Sequence, residues 1–298
     1  MKELIQVMDV QTTSYQTKRM ERFIKKKIDS FGLTHEVDAY GNIYVTKGDA
    51  DLYPTMVCHI DTVHDINDNF EVHRSGNNLF AIDKVTLERL GIGGDDKVGV
   101  YITLEMLKHF DNFKAVFFKD EEVGCVGSSK ADFTFFDDST IVLECDRQGI
   151  SDFVNSISCV TLYSEEFSKD ISTILQAYSR KEVYGGMTDV LEVAYNTNVC
   201  VANMSCGYYD PHSDNEYIKI SEVMATKDMC IEIFDATSHK RYEVERRDTY
   251  ARNHMYLDSS YYNDICKTCG CEMIYDVFDD VEYCEFCEPK TIDYVEYN

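Results

Sequence analysis

The chain has 298 residues and a mass of 34.4 kDa, room for one large domain with an appendage. Its 44% hydrophobic and 28% charged residues exclude a collagen-like or wholly disordered polypeptide, and no uninterrupted apolar run reaches the roughly 18–20 residues of a membrane span. With 54 acidic against 29 basic residues, the formal net charge of −25 argues against nucleic-acid or anionic-membrane partners held through a basic face. The opening MKELIQVMDVQ lacks the apolar stretch of a signal peptide, so the expected location is a reducing cytoplasm.

Met20, Phe23, Ile24, Ile28 and Phe31 recur at helical spacing, with Gly32 where a C-terminal cap belongs. Residues 34–48 read as two short strands around Tyr40-Gly41-Asn42. TMVCHID (55–61) is a buried strand ending in polar residues, and after Asp95-Asp96-Lys97 a helix carries Val98, Ile102, Met106 and Phe110 on one stripe. AVFF (115–118) and TIVLE (140–144) are apolar strands that run into acidic residues. Phe167, Ile171, Ile174, Leu175 and Tyr178 mark another helix, NVCVANM (198–204) a strand, and Val223, Cys230 and Phe234 a last long helix.

Strands alternating with helices predict an α/β fold with a mostly parallel or mixed central sheet flanked by helices. In such sheets ligands bind beyond the carboxyl ends of the strands. The expected division is a body at 1–237, a polar linker or arm at 238–262, and a cysteine-rich module with an acidic tail at 263–298. Seven scattered cysteines (Cys58, Cys125, Cys145, Cys159, Cys200, Cys206 and Cys230) read, for nearly all of them, as small buried hydrophobes.

Five segments offer metal-ligating side chains at a strand end or in a loop. In Cys58-His59-Ile60-Asp61, residues two apart share a face, so Asp61 can accept a hydrogen bond from the His59 ring and fix its tautomer. Gly93-Gly94-Asp95-Asp96-Lys97 places adjacent carboxylates at the mouth of a helix, where they call for positive charge. Asp120-Glu121-Glu122, Glu144-Cys145-Asp146 and Asp210-Pro211-His212-Ser213-Asp214 follow apolar strands, where desolvated acids are costly without a partner. Singly each segment is more often ordinary surface than ligand; it is the five in this order that point to a site.

The series CHID, GGDDK, DEEVG, ECD and PHSD resembles the co-catalytic di-zinc metallopeptidases, the peptidase T-like, dipeptidase and aminoacylase branch and related aminopeptidases, over roughly residues 1–236. The GNIYV hairpin and the Gly185-Gly186-Met187-Thr188-Asp189 segment look similar to features of that family as well. The resemblance implies that Asp95 bridges two metals, through a cis peptide to Asp96. It implies that His59 and Asp146 complete one metal and Glu122 and His212 the other, with Glu121 as general base and Asp61 orienting His59. Gly186, Thr188 and Asp189 would lie on the substrate side. Two cations about 3.5–4 Å apart hold a shared water, lower its pKa towards 7 and polarise a scissile carbonyl. Imidazole and carboxylate without thiolate suit zinc, with cobalt or manganese as alternatives. Many relatives carry a lid domain after the ECD-like motif. Here only 38 residues separate Asp146 from Gly185, which reads as a linker and one helix and favours an open aminopeptidase-type site for small peptides.

Cys266-x2-Cys269 and Cys284-x2-Cys287 are the paired knuckles of a zinc ribbon, implying one structural zinc. The intervening EMIYDVFDDVEY suits a small hairpin, and Cys271 is a spare. Nine acids against Lys290 in residues 271–298 argue for protein contact or self-association rather than nucleic acid. The expected activity is therefore metal-dependent hydrolysis of peptide bonds by an aminopeptidase. An N-acyl amino-acid deacylase with the same centre, and a catalytically silent interaction protein using the ribbon, are the alternatives.

Overall fold

The computed structural model describes residues 1–245 and, beyond them, the backbones of two short strands at 274–276 and 281–283. The chain opens with α1 (Lys2–Met8) and α2 (Lys18–Ser30), then β1 (Glu36–Val37), β2 (Ile43–Lys47) and β3 (Tyr53–His59). Next come β4 (Phe70–Ser75), β5 (Asn78–Asp83), β6 (Arg89–Leu90), α3 (Gly94–His109) and β7 (Phe113–Phe118). They are followed by β8 (Ser139–Arg147), β9 (Asp152–Ile157), β10 (Val160–Thr161), α4 (Glu165–Ala177) and β11 (Lys181–Gly185). The body closes with α5 (Asp189–Asn196), β12 (Val201–Ser205), β13 (Tyr208–Tyr209), β14 (Tyr217–Lys219) and α6 (Ile220–Thr237).

The main sheet is mixed. Its centre, β7-β3-β8-β12, is parallel; β1 and β2 at one side run antiparallel, and at the other β9 runs antiparallel to β12 and β10 but parallel to β11. Every residue of β3, β7 and β12 is buried, as is expected of parallel strands covered on both faces. Helix α3 packs on β3, β7 and β8, and α5 on β3, β8 and β12. This α/β architecture is the one the sequence predicts. So is the end of α2, where Gly32 takes the left-handed conformation (φ 73°) that closes a helix.

Three stretches differ from the sequence reading. Residues 147–184 are not a linker and one helix. They supply β9, β10 and β11, which extend the main sheet, as well as α4. Residues 70–90, in which the periodicity marks no element, build a second sheet from β4, β5 and β6, joined by β13 and β14. Its two-residue Gly76-Asn77 turn between paired Ser75 and Asn78 was the available signal. Finally, the chain stays on the body past α6. Tyr242 is fully buried, its ring against Phe167, and its backbone bonds to Thr140 and Cys200. Packing thus extends through Val244, beyond the boundary expected at residue 237.

Strands β15 (Ile274–Asp276) and β16 (Val281–Tyr283) pair antiparallel, the hairpin expected between the cysteine pairs. Cys266, Cys269, Cys284 and Cys287 themselves lie outside the described residues. Among the described residues, no helix is long and apolar enough to cross a membrane.

Candidate metal centre

The candidate side chains come from the carboxyl ends of the central strands and from one loop of the second sheet. His59 ends β3 and is fully buried; Asp61 follows it, also fully buried. Asp95 and Asp96 depart from helical dihedrals at the start of α3, and the peptide between them is cis. Glu121 and Glu122 follow β7, Asp146 lies near the end of β8, and His212 lies between β13 and β14.

The diglycine is required by space as much as by conformation. Gly93 has φ 69°, and a Cβ there would meet Thr62 at 2.8 Å. A Cβ on Gly94 would meet the Tyr208 side chain at 2.7 Å. Asp120 turns the end of β7 with φ 58°, a conformation Asp tolerates better than most residues. Its carboxylate is held by the Tyr15 amide (2.6 Å) and the Tyr40 hydroxyl (2.7 Å).

Asp95 lies between the two imidazoles. Its Oδ1 is 3.2 Å from His59 Nε2 and its Oδ2 is 3.3 Å from His212 Nε2. Asp146 Oδ1 is 3.6 Å from His59 Nε2, and Glu122 Oε2 is 3.1 Å from His212 Nε2. Glu121 Oε2 lies 3.9 Å from His59 Nε2. His59, Asp95, Glu121, Glu122, Asp146 and His212 are thus gathered in one place.

His59 Nδ1 has its hydrogen-bond partner in the Asp61 backbone carbonyl at 3.2 Å, with the Asp61 carboxylate at 3.5 Å. That carboxylate accepts the backbone amides of Glu121 (3.1 Å) and Glu122 (3.3 Å) and the Ser14 hydroxyl (2.8 Å). Burial opposes its charge, but the His59 ring and these donors outweigh burial and hold its carboxyl below the usual range. Asp96 is fully buried and accepts the amides of His59 and Gly99. Lys97 donates to the carbonyls of Met8 and Val10, tying α1 to the start of α3.

Several positioning residues are invisible in the motifs. Asn203 brackets Asp146, its side-chain oxygen taking the Asp146 amide (2.9 Å) and its amide donating to the Asp146 carbonyl (2.8 Å). Tyr208 donates to Asp146 Oδ1 at 3.2 Å. Glu216, fully buried, accepts the amides of Gly93 (2.7 Å) and Asp95 (3.1 Å) and lies 2.8 Å from His64 Nε2. A polar Asn inside an otherwise apolar strand was the signal for Asn203; Glu216, four residues past His212, gave none. Of the expected substrate-side residues, only Gly186 is exposed. Thr188 is buried with its hydroxyl donated to Glu144 (2.6 Å) and Asp146 (3.1 Å), and Asp189 is fully buried.

Negative charge is crowded here. Burial pushes Glu122 up to about 8 and Asp189 up to about 7, and drives Glu121 and Glu144 well above the ordinary carboxyl range. Asp146, Asp61 and Asp95 raise His59 against the opposing effect of its own burial. Glu122 Oε1 is buried with no hydrogen-bond partner among the described residues. His59, Asp96 and Asp146, and again His59, Asp95 and Glu122, bring donor atoms within 4.8 Å of one another. This oxygen- and imidazole-rich donor set, with an orphan carboxylate oxygen, fits a divalent cation.

No protein-family profile matches the sequence, and comparison with curated proteins gives no match. The fold does match solved structures. The aminopeptidase PepT from Bacillus cereus superposes with a TM-score of 0.65 at 14% identity, covering 79% of this chain and 97% of that one. A tripeptidase from Staphylococcus aureus gives 0.63 at 12% identity, covering 80% and 98%. An aminopeptidase from the archaeon Desulfurococcus kamchatkensis gives 0.59 at 13%, covering 80% and 95%. The chain therefore has the α/β fold seen in these peptidases.

Proposed function

We propose that the protein is a cytoplasmic di-zinc hydrolase of peptide bonds, an aminopeptidase acting on short peptides. The observation that carries this reading is the placing of Asp95, one carboxylate oxygen toward His59 and the other toward His212, each imidazole with its own further acid, Asp146 or Glu122. Under this reading His59 and Asp146 would hold one ion, Glu122 and His212 the other, and Asp95 would contribute to both. When bound, the two ions, zinc with cobalt or manganese as alternatives, supply Lewis acidity at the scissile carbonyl and acidify the attacking water.

The remaining work falls to the chain's own groups. Glu121 takes the proton of the attacking water and delivers it to the leaving amine. Asp61 keeps the His59 ring and the Glu121-Glu122 backbone in register, and Thr188, Asn203 and Tyr208 fix Asp146. Gly186 faces the substrate, and Asp189 adds to the buried acids behind it. The segment between Asp146 and Gly185 folds as β9, β10, α4 and β11, which agrees with a site that has no separate lid. The four C-terminal cysteines hold a structural zinc, and their module serves protein contact or self-association.

Metal analysis tests the reading. Roughly three zinc ions per chain are expected, two removed by mild chelation and one held by the cysteines; a single ion would remove the catalytic assignment. Hydrolysis of a free-amino tripeptide but not of its N-acetylated form marks an aminopeptidase, the reverse a deacylase, and neither a silent binding protein.

Glu216 provides a second check. Glu216→Ala leaves the amides of Gly93 and Asp95 and the His64 ring without their acceptor. It is expected to weaken zinc binding by roughly 10–100-fold, read by competition with a chelator. An unchanged affinity would make Glu216 a bystander of the centre.

A further inference from the structure

A groove of about 750 Å³ opens beside His212, large enough for a side chain and its adjoining backbone. Val63, Ile66, Phe70 and Leu90 give it apolar walls. Asp65 and Asp214, both exposed, supply its charge. No lysine or arginine lines it. Lys97, buried and 5.4 Å from the centre of the Phe70 ring, is spent on the carbonyls of Met8 and Val10, and Arg89 on those of Asn215 and Glu216. His64, also lining the groove, has its Nε2 on Glu216. Among the described residues, neither Asp65 nor Asp214 forms an ion pair. The groove therefore joins a surface for methylene groups to two uncompensated carboxylates.

A lysine or arginine side chain has the complementary build, an aliphatic stem that packs on apolar surface and a cationic head that stays in water beside acids. We infer that this groove receives a lysine or arginine side chain of the peptide, its stem against Ile66, Phe70 and Leu90 and its cation at Asp65 and Asp214. The inference rests on the peptidase reading for placing the peptide backbone at His212, and adds to it a preference for basic residues.

Binding can be measured without turnover by titrating Lys-Gly-Gly into the zinc-loaded full chain carrying Glu121→Gln, with norleucyl-Gly-Gly as the peptide of equal stem and no charge. Two exposed charge interactions predict that the lysyl peptide binds roughly threefold to tenfold more tightly at low salt. Adding Asp65→Asn and Asp214→Asn, exposed positions whose change spares the core, should bring the ratio to one, whereas Ile66→Ser should weaken both peptides together. Equal binding of the two peptides, no binding of either, or a lysine preference that survives the double substitution would each overturn the inference. The hydrolase reading is scored separately, by cleavage of the same peptides with Glu121 in place. Lysine-selective binding without cleavage sinks that reading alone, and cleavage without lysine preference sinks the groove alone.

Discussion

Glu121→Gln is expected to lower kcat on a free-amino tripeptide by roughly 10²–10⁴-fold while the protein keeps the zinc content of the parent. The substitution preserves shape and removes only the ability to take a proton. The backbone at this position is held from outside, by Asp61 on the Glu121 amide, and the side chain is fixed by the Cys125 thiol, 3.5 Å from Oε1. Burial raises the proton affinity of Glu121, the direction a general base needs if it is to carry the proton to a leaving amine. Glu122→Gln is the contrast. It removes the anionic partner 3.1 Å from His212, so it should lose zinc along with activity. A Glu121→Gln enzyme as fast as its parent would assign the base elsewhere, and one that had lost its zinc would make Glu121 a ligand instead.

Why Glu121 could be singled out from the sequence, and Glu216 could not, is a matter of where each gets its partners. The central strands β3, β7 and β8 are buried on both faces, so their apolar runs stand out, and the acids directly after them are conspicuous. That made His59, Glu121, Glu122 and Asp146 legible, and the parallel layer with them. The second sheet is different. β5 alternates half-buried with buried positions and includes Asn78, Ala81 and Asp83, a pattern easily taken for loop. β9 and β11 gain their place by pairing with each other across the α4 excursion, which local periodicity does not register. Glu216 acts on Gly93 and Asp95, more than a hundred residues earlier, and Asn203 on Asp146 in a neighbouring strand. Such contacts exist only once the fold is made.

The largest effect should follow the loss of Asp95. Asp95→Ala is expected to reduce bound zinc from roughly three ions per chain to about one, the survivor being the ion at the cysteines. The reason is its double use: each oxygen faces a different imidazole, so one truncation removes an anionic donor from both halves of the centre. His212 and His59 already hold the Asp95 carboxyl well below its ordinary range against the effect of burial, a measure of how much positive charge that position attracts. Each zinc site at a hundred times its dissociation constant adds about 2.7 kcal/mol to stability, which for a domain of this size raises the Tm by roughly 5–10 °C per ion bound. That increment should disappear in Asp95→Ala, on comparing melts with and without added zinc. Without metal the variant should still lose some stability, because Asp95 then pairs with both imidazoles, but less than it loses with zinc present; the Glu216 contact to its backbone amide stays intact. If Asp95→Ala instead kept all its zinc, or lost stability equally with and without the ion, Asp95 would be a structural acid and the paired-ion reading would fall.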